Sequence, residues 1–280
     1  MKLSLGTAQF GLDYGVTNHS GQVAIDMAKN ILDFASRSNI TTLDTASDYG
    51  DSEQVLGEIG VDDYRIITKT IPLADGADKS IDGFYTSLKN LNIKQVDGLL
   101  IHNINDIKDK QFNFFFDKLN ELKQQNLINK IGFSTYTPGQ VDFLLDNFEF
   151  DMIQLPFNIF DTRLAEGGQL QALKNKGVEV HSRSVFLQGV LLHFDDLPDY
   201  FSTWQVQFDK YRAIVEESRL SLLEYALNFA LNTQEIDKVI VGVNNEKQLR
   251  EIVQAVNEKS RAYAYPIDDL DLLNPSLWKV

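Results

Sequence analysis

Short, nearly unbroken apolar or β-branched segments alternate along this chain with longer stretches whose apolar residues recur every three or four positions. Eight of the short segments read as strands: 2–7, 42–45, 65–70, 98–102, 130–134, 152–155, 179–183 and 238–243. Their lack of polar alternation is what strands covered on both faces require. The longer stretches read as amphipathic helices over 23–37, 53–59, 81–91, 112–125, 140–147, 168–176 and 246–256. Ser52 stands where the second of these needs an N-cap. Two further helices, 204–218 and 221–231, both precede the last strand, so one helix is inserted there. Even strand–helix alternation without a Pro/Gly/Ser-rich linker predicts a (β/α)8 TIM barrel, one domain over residues 1–280, rather than an open doubly wound sheet.

Composition narrows the partners. Lys and Arg number 26 against 40 Asp and Glu, a formal charge of −14. A surface this negative repels phosphate backbones, so no nucleic-acid partner is expected. A small anion held locally by backbone N–H groups remains compatible with it. The chain has no cysteine, which excludes disulfides, thiolate metal sites and thiol catalysis. Met1-Lys2-Leu3-Ser4-Leu5 meets Gly6 before a signal-peptide core could form, and no apolar run reaches the ~18 residues that would span a bilayer. The expectation is a cytoplasmic protein without a membrane partner. Its oligomeric state is not legible.

In such a barrel the C-terminal ends of the strands converge on one mouth. Those ends carry Thr7, Asp44, Lys69, His102, Ser134, Gln154, Arg183 and Asn244. Taken singly, Asp44 reads as a turn residue, Lys69 as a lysine reaching the rim and His102 as a satisfied core histidine. Together they put an acid, an amine and an imidazole at successive strand ends. Tyr49 follows Asp44 in the loop leading to the next helix. A phenol beside an ammonium is expected to have its pKa lowered, with Asp44 keeping Lys69 charged. His102 is placed to hydrogen-bond a carbonyl oxygen. That set polarises a carbonyl and supplies a proton as hydride arrives.

These residues sit in segments that resemble the aldo/keto reductase superfamily. Asp44-Thr45-Ala46-Ser47-Asp48-Tyr49-Gly50-Asp51-Ser52-Glu53-Gln54-Val55-Leu56-Gly57 is similar to its long signature. Ile67-Thr68-Lys69-Thr70 resembles its lysine strand, Val96 to Asn103 its histidine strand, and Leu5-Gly6-Thr7-Ala8-Gln9-Phe10-Gly11 its opening. The resemblance implies a catalytic tetrad of Asp44, Tyr49, Lys69 and His102, and a nicotinamide cofactor passing hydride to a small-molecule carbonyl substrate. It further implies that Thr7, Ser134, Gln154, Arg183, Ser184, Gly242, Asn244 and Gln248 bind that cofactor. Arg183 aligns with an aromatic that stacks on nicotinamide; a planar cation there disfavours the oxidised ring and tilts the chemistry toward reduction. The chain departs from the family at Thr135 and Ile252, where asparagines are usual. The segment from Val239 to Leu249 resembles the adenosine-phosphate segment. With Lys247 and Arg250 near Asn244 to meet a 2′-phosphate, NADP is the expected cofactor and NAD the alternative.

Two other functions use the same residues differently. A nicotinamide-sensing regulatory subunit would keep the barrel and turn over little. A metal-dependent hydrolase would need Asp44, His102 and His181 as ligands. The metal reading lacks a His-x-His pair after the first strand, and none is assigned. Phe112, Phe114, Phe115 and Phe116 read as core rather than a ligand box. The aromatic wall of the mouth is expected from Phe10, Tyr14, Tyr136, Phe157 and Phe160, and short loops around it suit a bulky polar substrate such as a sugar derivative.

Overall fold

All eight predicted strands form in the computed structural model, which describes residues 1–256 and 261–279. They are β1 (Leu3–Gly6), β2 (Thr42–Asp44), β3 (Arg65–Lys69), β4 (Val96–Ile101), β5 (Ile128–Ser134), β6 (Met152–Pro156), β7 (Glu179–Arg183) and β8 (Lys238–Gly242). Every neighbouring pair is parallel, and β8 returns to β1, closing a barrel in chain order. The outer helices are α1 (Ile25–Arg37), α2 (Ser52–Ile59), α3 (Ala77–Leu91), α4 (Phe112–Gln124), α5 (Pro138–Asn147), α6 (Gln169–Asn175), α7 (Gln205–Ser218), α8 (Leu222–Asn232) and α9 (Glu246–Ala255). Two start where capping boxes demand it, Thr137 with Gln140 for α5 and Ser221 with Glu224 for α8. The pair α7–α8 before β8 is the predicted insertion.

Burial follows the strand pattern. The outward side chains of the strands pack with the helices into one large core that includes Leu43, Leu99, Phe133, Ile153 and Val239. Ile67, Leu100 and Met152 form a separate cluster that fills the lumen. Gly98 and Gly132 make room for it: a Cβ on Gly98 would lie 2.5 Å from the Met152 sulfur. Arg65–Asp97 and Lys130–Glu179 ion pairs stand nearer the N-terminal ends of the strands. Lys69 shares the inward face of Ile67, two residues closer to the C-terminal mouth. The lumen therefore runs from ionic base to apolar plug to polar mouth.

A second core lies beside the mouth. Phe160, Leu191, Phe194, Trp204, Phe208 and Tyr211 pack with the chain's last segment through Leu272 and Leu273. Backbone bonds from Tyr265 to Ile159 and from Ile267 to Phe160 lay that segment over the loop after β6. Phe112 and Phe115 are buried and Phe116 packs on the core, while Phe114 is exposed under Lys118. No helix among the described residues is long and apolar enough to cross a membrane.

Candidate active site

The polar strand ends do meet. Lys69 is almost wholly buried and donates to Asp44 Oδ1 and to the Thr45 carbonyl, each at 2.8 Å. The second Asp44 oxygen accepts from the Gln154 amide at 2.6 Å. The ammonium lies 4.7 Å from the Tyr49 ring centroid. Tyr49 meets His102 edge to face, with centroids 6.1 Å apart. His102 follows the last residue of β4 rather than ending the strand, and its Nδ1 is 3.5 Å from Asp48. Asp48 was not foreseen; nothing in its local sequence distinguishes it from a loop carboxylate.

Burial sets the protonation states. The Tyr49 phenol is pushed up by burial and by Asp44, against the pull of Lys69. This reverses the expected lowering: removing water from a phenolate costs more than the nearby ammonium returns. Burial alone would lower Lys69, but Asp44 and Tyr49 outweigh it and the amine is held above its usual range. His102 is lowered to about 4, by burial first and then by Lys69 and Arg183. At neutral pH the set is therefore a neutral phenol, a charged amine and a neutral imidazole.

Tight backbone packing positions the tyrosine loop. Gly11 abuts it so closely that a Cβ would fall 1.7 Å from the Tyr49 carbonyl oxygen. Gly50, with φ of +56°, faces Gly11 in turn. Contrary to the sequence expectation, Ser52 does not cap α2; it is the helix's first residue, and Asp51 before it makes no side-chain cap. The Ser52 hydroxyl is instead buried within 3.1 Å of Thr45 Oγ1 and 2.9 Å of the Thr7 carbonyl, tying the loop to β1. Glu53 is also buried, accepting from Thr68 at 2.7 Å. Gly11→Ala should thus displace the Tyr49 loop and cost about 3 kcal/mol of stability. Thermal unfolding checks it, and an unchanged melting temperature would show the loop to be more yielding than this packing implies.

A cavity of about 530 Å³ opens above these groups. Asp44, Tyr49 and His102 line it, with Lys69 just beneath. Thr7, Ser134, Gln154, Arg183, Ser184, Gly242, Asn244 and Gln248 all line the same cavity. Tyr14 and Tyr136 form its aromatic wall, but Phe10, Phe157 and Phe160 do not: each is buried in a core. Phe10 sits in a short helix and packs into the main core, Phe157 stacks on Phe229 and Phe160 joins the second core, long-range contacts that apolar content alone could not reveal. Arg183 stacks over Tyr136 at 4.2 Å and donates to the Thr135 carbonyl at 3.1 Å. Loops after β1 and β7 bridge over the cavity, with Thr17 Oγ1 3.4 Å from the Gln188 carbonyl. A Cβ on Gly189, which has φ of +95°, would meet Thr17 at 1.9 Å.

The donor set suits a dinucleotide. Gln154 spends its amide N–H on Asp44 and leaves its oxygen available, as a carboxamide NH2 needs. Thr135 Oγ1 and Asn244 Oδ1 are buried oxygens without a partner. The two cations expected near a phosphate do not line the cavity. Arg250 donates to Glu246 and stacks over Phe34 at 4.4 Å, and Lys247 faces Glu251 at 3.8 Å. His181 is fully buried and bound to Glu179 at 2.8 Å, away from Asp44 and His102, and no three His, Asp or Glu among the described residues are placed to share a metal.

A closed parallel barrel with such a cavity at its C-terminal mouth is the frame of an enzyme, and the family decides which kind. The chain belongs to the aldo/keto reductase family, whose model matches residues 2–270. It is 26% identical to the uncharacterized oxidoreductase YqkF of Bacillus subtilis, over 92% of each chain. It is 29% identical to L-galactose dehydrogenase of Arabidopsis thaliana, over 85% of this chain and 80% of that one. In fold it is similar to the holo form of aldo-keto reductase AKR11C1 from Bacillus halodurans, with a TM-score of 0.73 at 22% identity over 94% and 93% of the two chains. It also resembles the glycerol dehydrogenase AKR11B4 of Gluconobacter oxydans, with a TM-score of 0.71 at 19% identity over 91% and 86%.

Proposed function

We propose that the protein reduces an aldehyde, ketone or sugar-type carbonyl, with Tyr49 as the general acid. The observation that carries this reading is the contact chain Gln154–Asp44–Lys69–Tyr49–His102 at one wall of the cavity. Bound NADPH or NADH supplies the hydride. As it adds to the carbonyl carbon, the C=O π pair moves to oxygen and takes the Tyr49 proton, giving the alcohol and the oxidised cofactor. Lys69 stabilises the phenolate left behind, and solvent reprotonates it. Neutral His102 orients the carbonyl through a hydrogen bond rather than by giving up a proton. Ser134 and the Gln154 oxygen would hold the carboxamide, and Thr7, Ser184, Gly242, Asn244 and Gln248 would contact the rest of the cofactor. Arg183 would face the nicotinamide, where its charge would favour the neutral reduced ring.

The wall of Tyr14, Tyr136, Gln188 and His193 is rich in hydrogen-bonding groups, which suits a polyhydroxylated substrate. The likeness to an L-galactose dehydrogenase supports the same class. The test is loss of reduced-nicotinamide absorbance with a panel of sugars, hydroxyaldehydes and simple ketones. No turnover with any of them, despite cofactor binding, would favour a nicotinamide-sensing subunit instead.

His102 makes a pH prediction. Its pKa is depressed from 6.5 to about 4, so it stays neutral in the folded protein through the range where a free histidine titrates. A depressed histidine contributes stability that is present above pH ~6.5 and is lost as pH falls toward 4. The log of kcat/KM should be flat from pH 5.5 to 8, and His102→Gln should flatten part of the fall in stability below pH 6.5. A kcat/KM step near pH 6.5 that His102→Gln removes would mean the imidazole titrates normally.

A further inference from the structure

We infer that the protein selects NADH over NADPH, and that Glu251 is the selecting residue. This rests on the proposed reductase reading and contradicts the NADP preference expected from the basic residues of α9.

The end of the cavity remote from Tyr49 is built by Asn244, Gln248, Glu251 and Ile252. These residues belong to the segment whose sequence resembles an adenosine-phosphate site. A 2′-phosphate carries close to two negative charges and three acceptor oxygens, so it needs cations or free N–H donors. A ribose 2′-hydroxyl instead brings a donor, which a carboxylate accepts well. Carboxylates serve that purpose in other dinucleotide folds and repel the phosphate there.

The donors at this end are mostly spent. The Asn244 backbone N–H donates to Gln248 Oε1 at 2.7 Å, and its side-chain amide donates to Asn18 at 3.0 Å. The Gln248 N–H donates to the helix cap Asn245 at 2.9 Å. That removes one of the first-turn N–H groups of α9 that could otherwise hold an anion. What remains is uncharged: the first backbone N–H groups of α9, at Glu246 and Lys247, and the amide NH2 of Gln248.

Neither cation of α9 lines the cavity. Arg250 is fixed on both sides, by Glu246 and by the face of Phe34, and does not line the cavity. Lys247 is 85% exposed and sits 3.8 Å from Glu251, outside the lining. Such an exposed contact leaves most of the carboxylate's field in place. Glu251 is the charged group of α9 that lines the cavity, and its sign is negative. The overall charge of −14 adds to the discrimination rather than offsetting it.

The test is equilibrium binding, so it does not depend on turnover. NADH and NADPH are titrated by quenching of protein fluorescence at low ionic strength, with wild type, Glu251→Gln and Lys247→Ala. Wild type should bind NADH at least about tenfold more tightly. Glu251→Gln should narrow that ratio to about threefold or less, mainly by tightening NADPH. Lys247→Ala should keep or widen it. NADPH binding as tight as NADH in wild type would overturn the inference, and so would a ratio that Glu251→Gln leaves unchanged. Either result, with carbonyl reduction intact, leaves the reductase reading standing. Failure of both cofactors to bind would remove the reading and this inference together.

Discussion

Tyr49→Phe is expected to lower kcat by about a thousandfold, the range over which a positioned acid contributes. The substitution removes one oxygen and keeps the ring, so the edge-to-face contact with His102 at 6.1 Å survives. Without the phenol, negative charge developing on the substrate oxygen has no positioned acid to take a proton from. Lys69 is still beneath it and still charged, so some electrostatic stabilisation persists and activity does not vanish. Cofactor affinity should change by less than about threefold, because Tyr49 is assigned no cofactor contact. Single-turnover reduction with saturating cofactor separates chemistry from binding. A variant that reduces the carbonyl as fast as wild type would show that the proton comes from somewhere else.

The largest effect on the fold should come from Lys69→Met. Lys69 and Asp44 are 1% and 3% exposed and 2.8 Å apart. Met fills most of the volume but leaves the Asp44 carboxylate buried with Gln154 as its remaining side-chain donor. Breaking a buried pair from one side costs about 3–5 kcal/mol, because the stranded charge has lost its solvent and its partner. The double variant Lys69→Met/Asp44→Asn should recover part of this, since no charge remains to be stranded. Urea unfolding of the four proteins in the cycle measures both terms. A cost below about 1 kcal/mol for Lys69→Met would mean that water reaches Asp44. Activity should be lost in both variants, so the stability recovery distinguishes structural rescue from chemical rescue.

Much of this was open to sequence reading because it is local or periodic. Eight short apolar runs became eight strands, and their polar last residues became the floor and wall of one cavity. Lys69 illustrates why: an amine closing the run Ile66-Ile67-Thr68 has its alternation set by the strand, so its inward direction follows from Ile67. Residues whose role depends on a distant neighbour were misread. Ser52 matched a helix-start pattern, yet its hydroxyl is used by Thr7 and Thr45 across the barrel rim. Phe160 looked like a mouth aromatic until the segment around Tyr265 and Ile267 was seen to cover it.

The chain's own pattern was enough to determine the barrel, the order of its strands and the identity of the groups at its mouth, because strand periodicity and closure leave few other arrangements. Charge behaviour was decided by tertiary structure alone. Whether Tyr49 is raised or lowered depends on how much water the fold removes relative to how near it brings Lys69, a balance between two large opposing terms. Whether Arg250 serves a phosphate depends on Glu246 and Phe34 reaching it first, and the Phe34 contact exists only once α1 and α9 pack side by side.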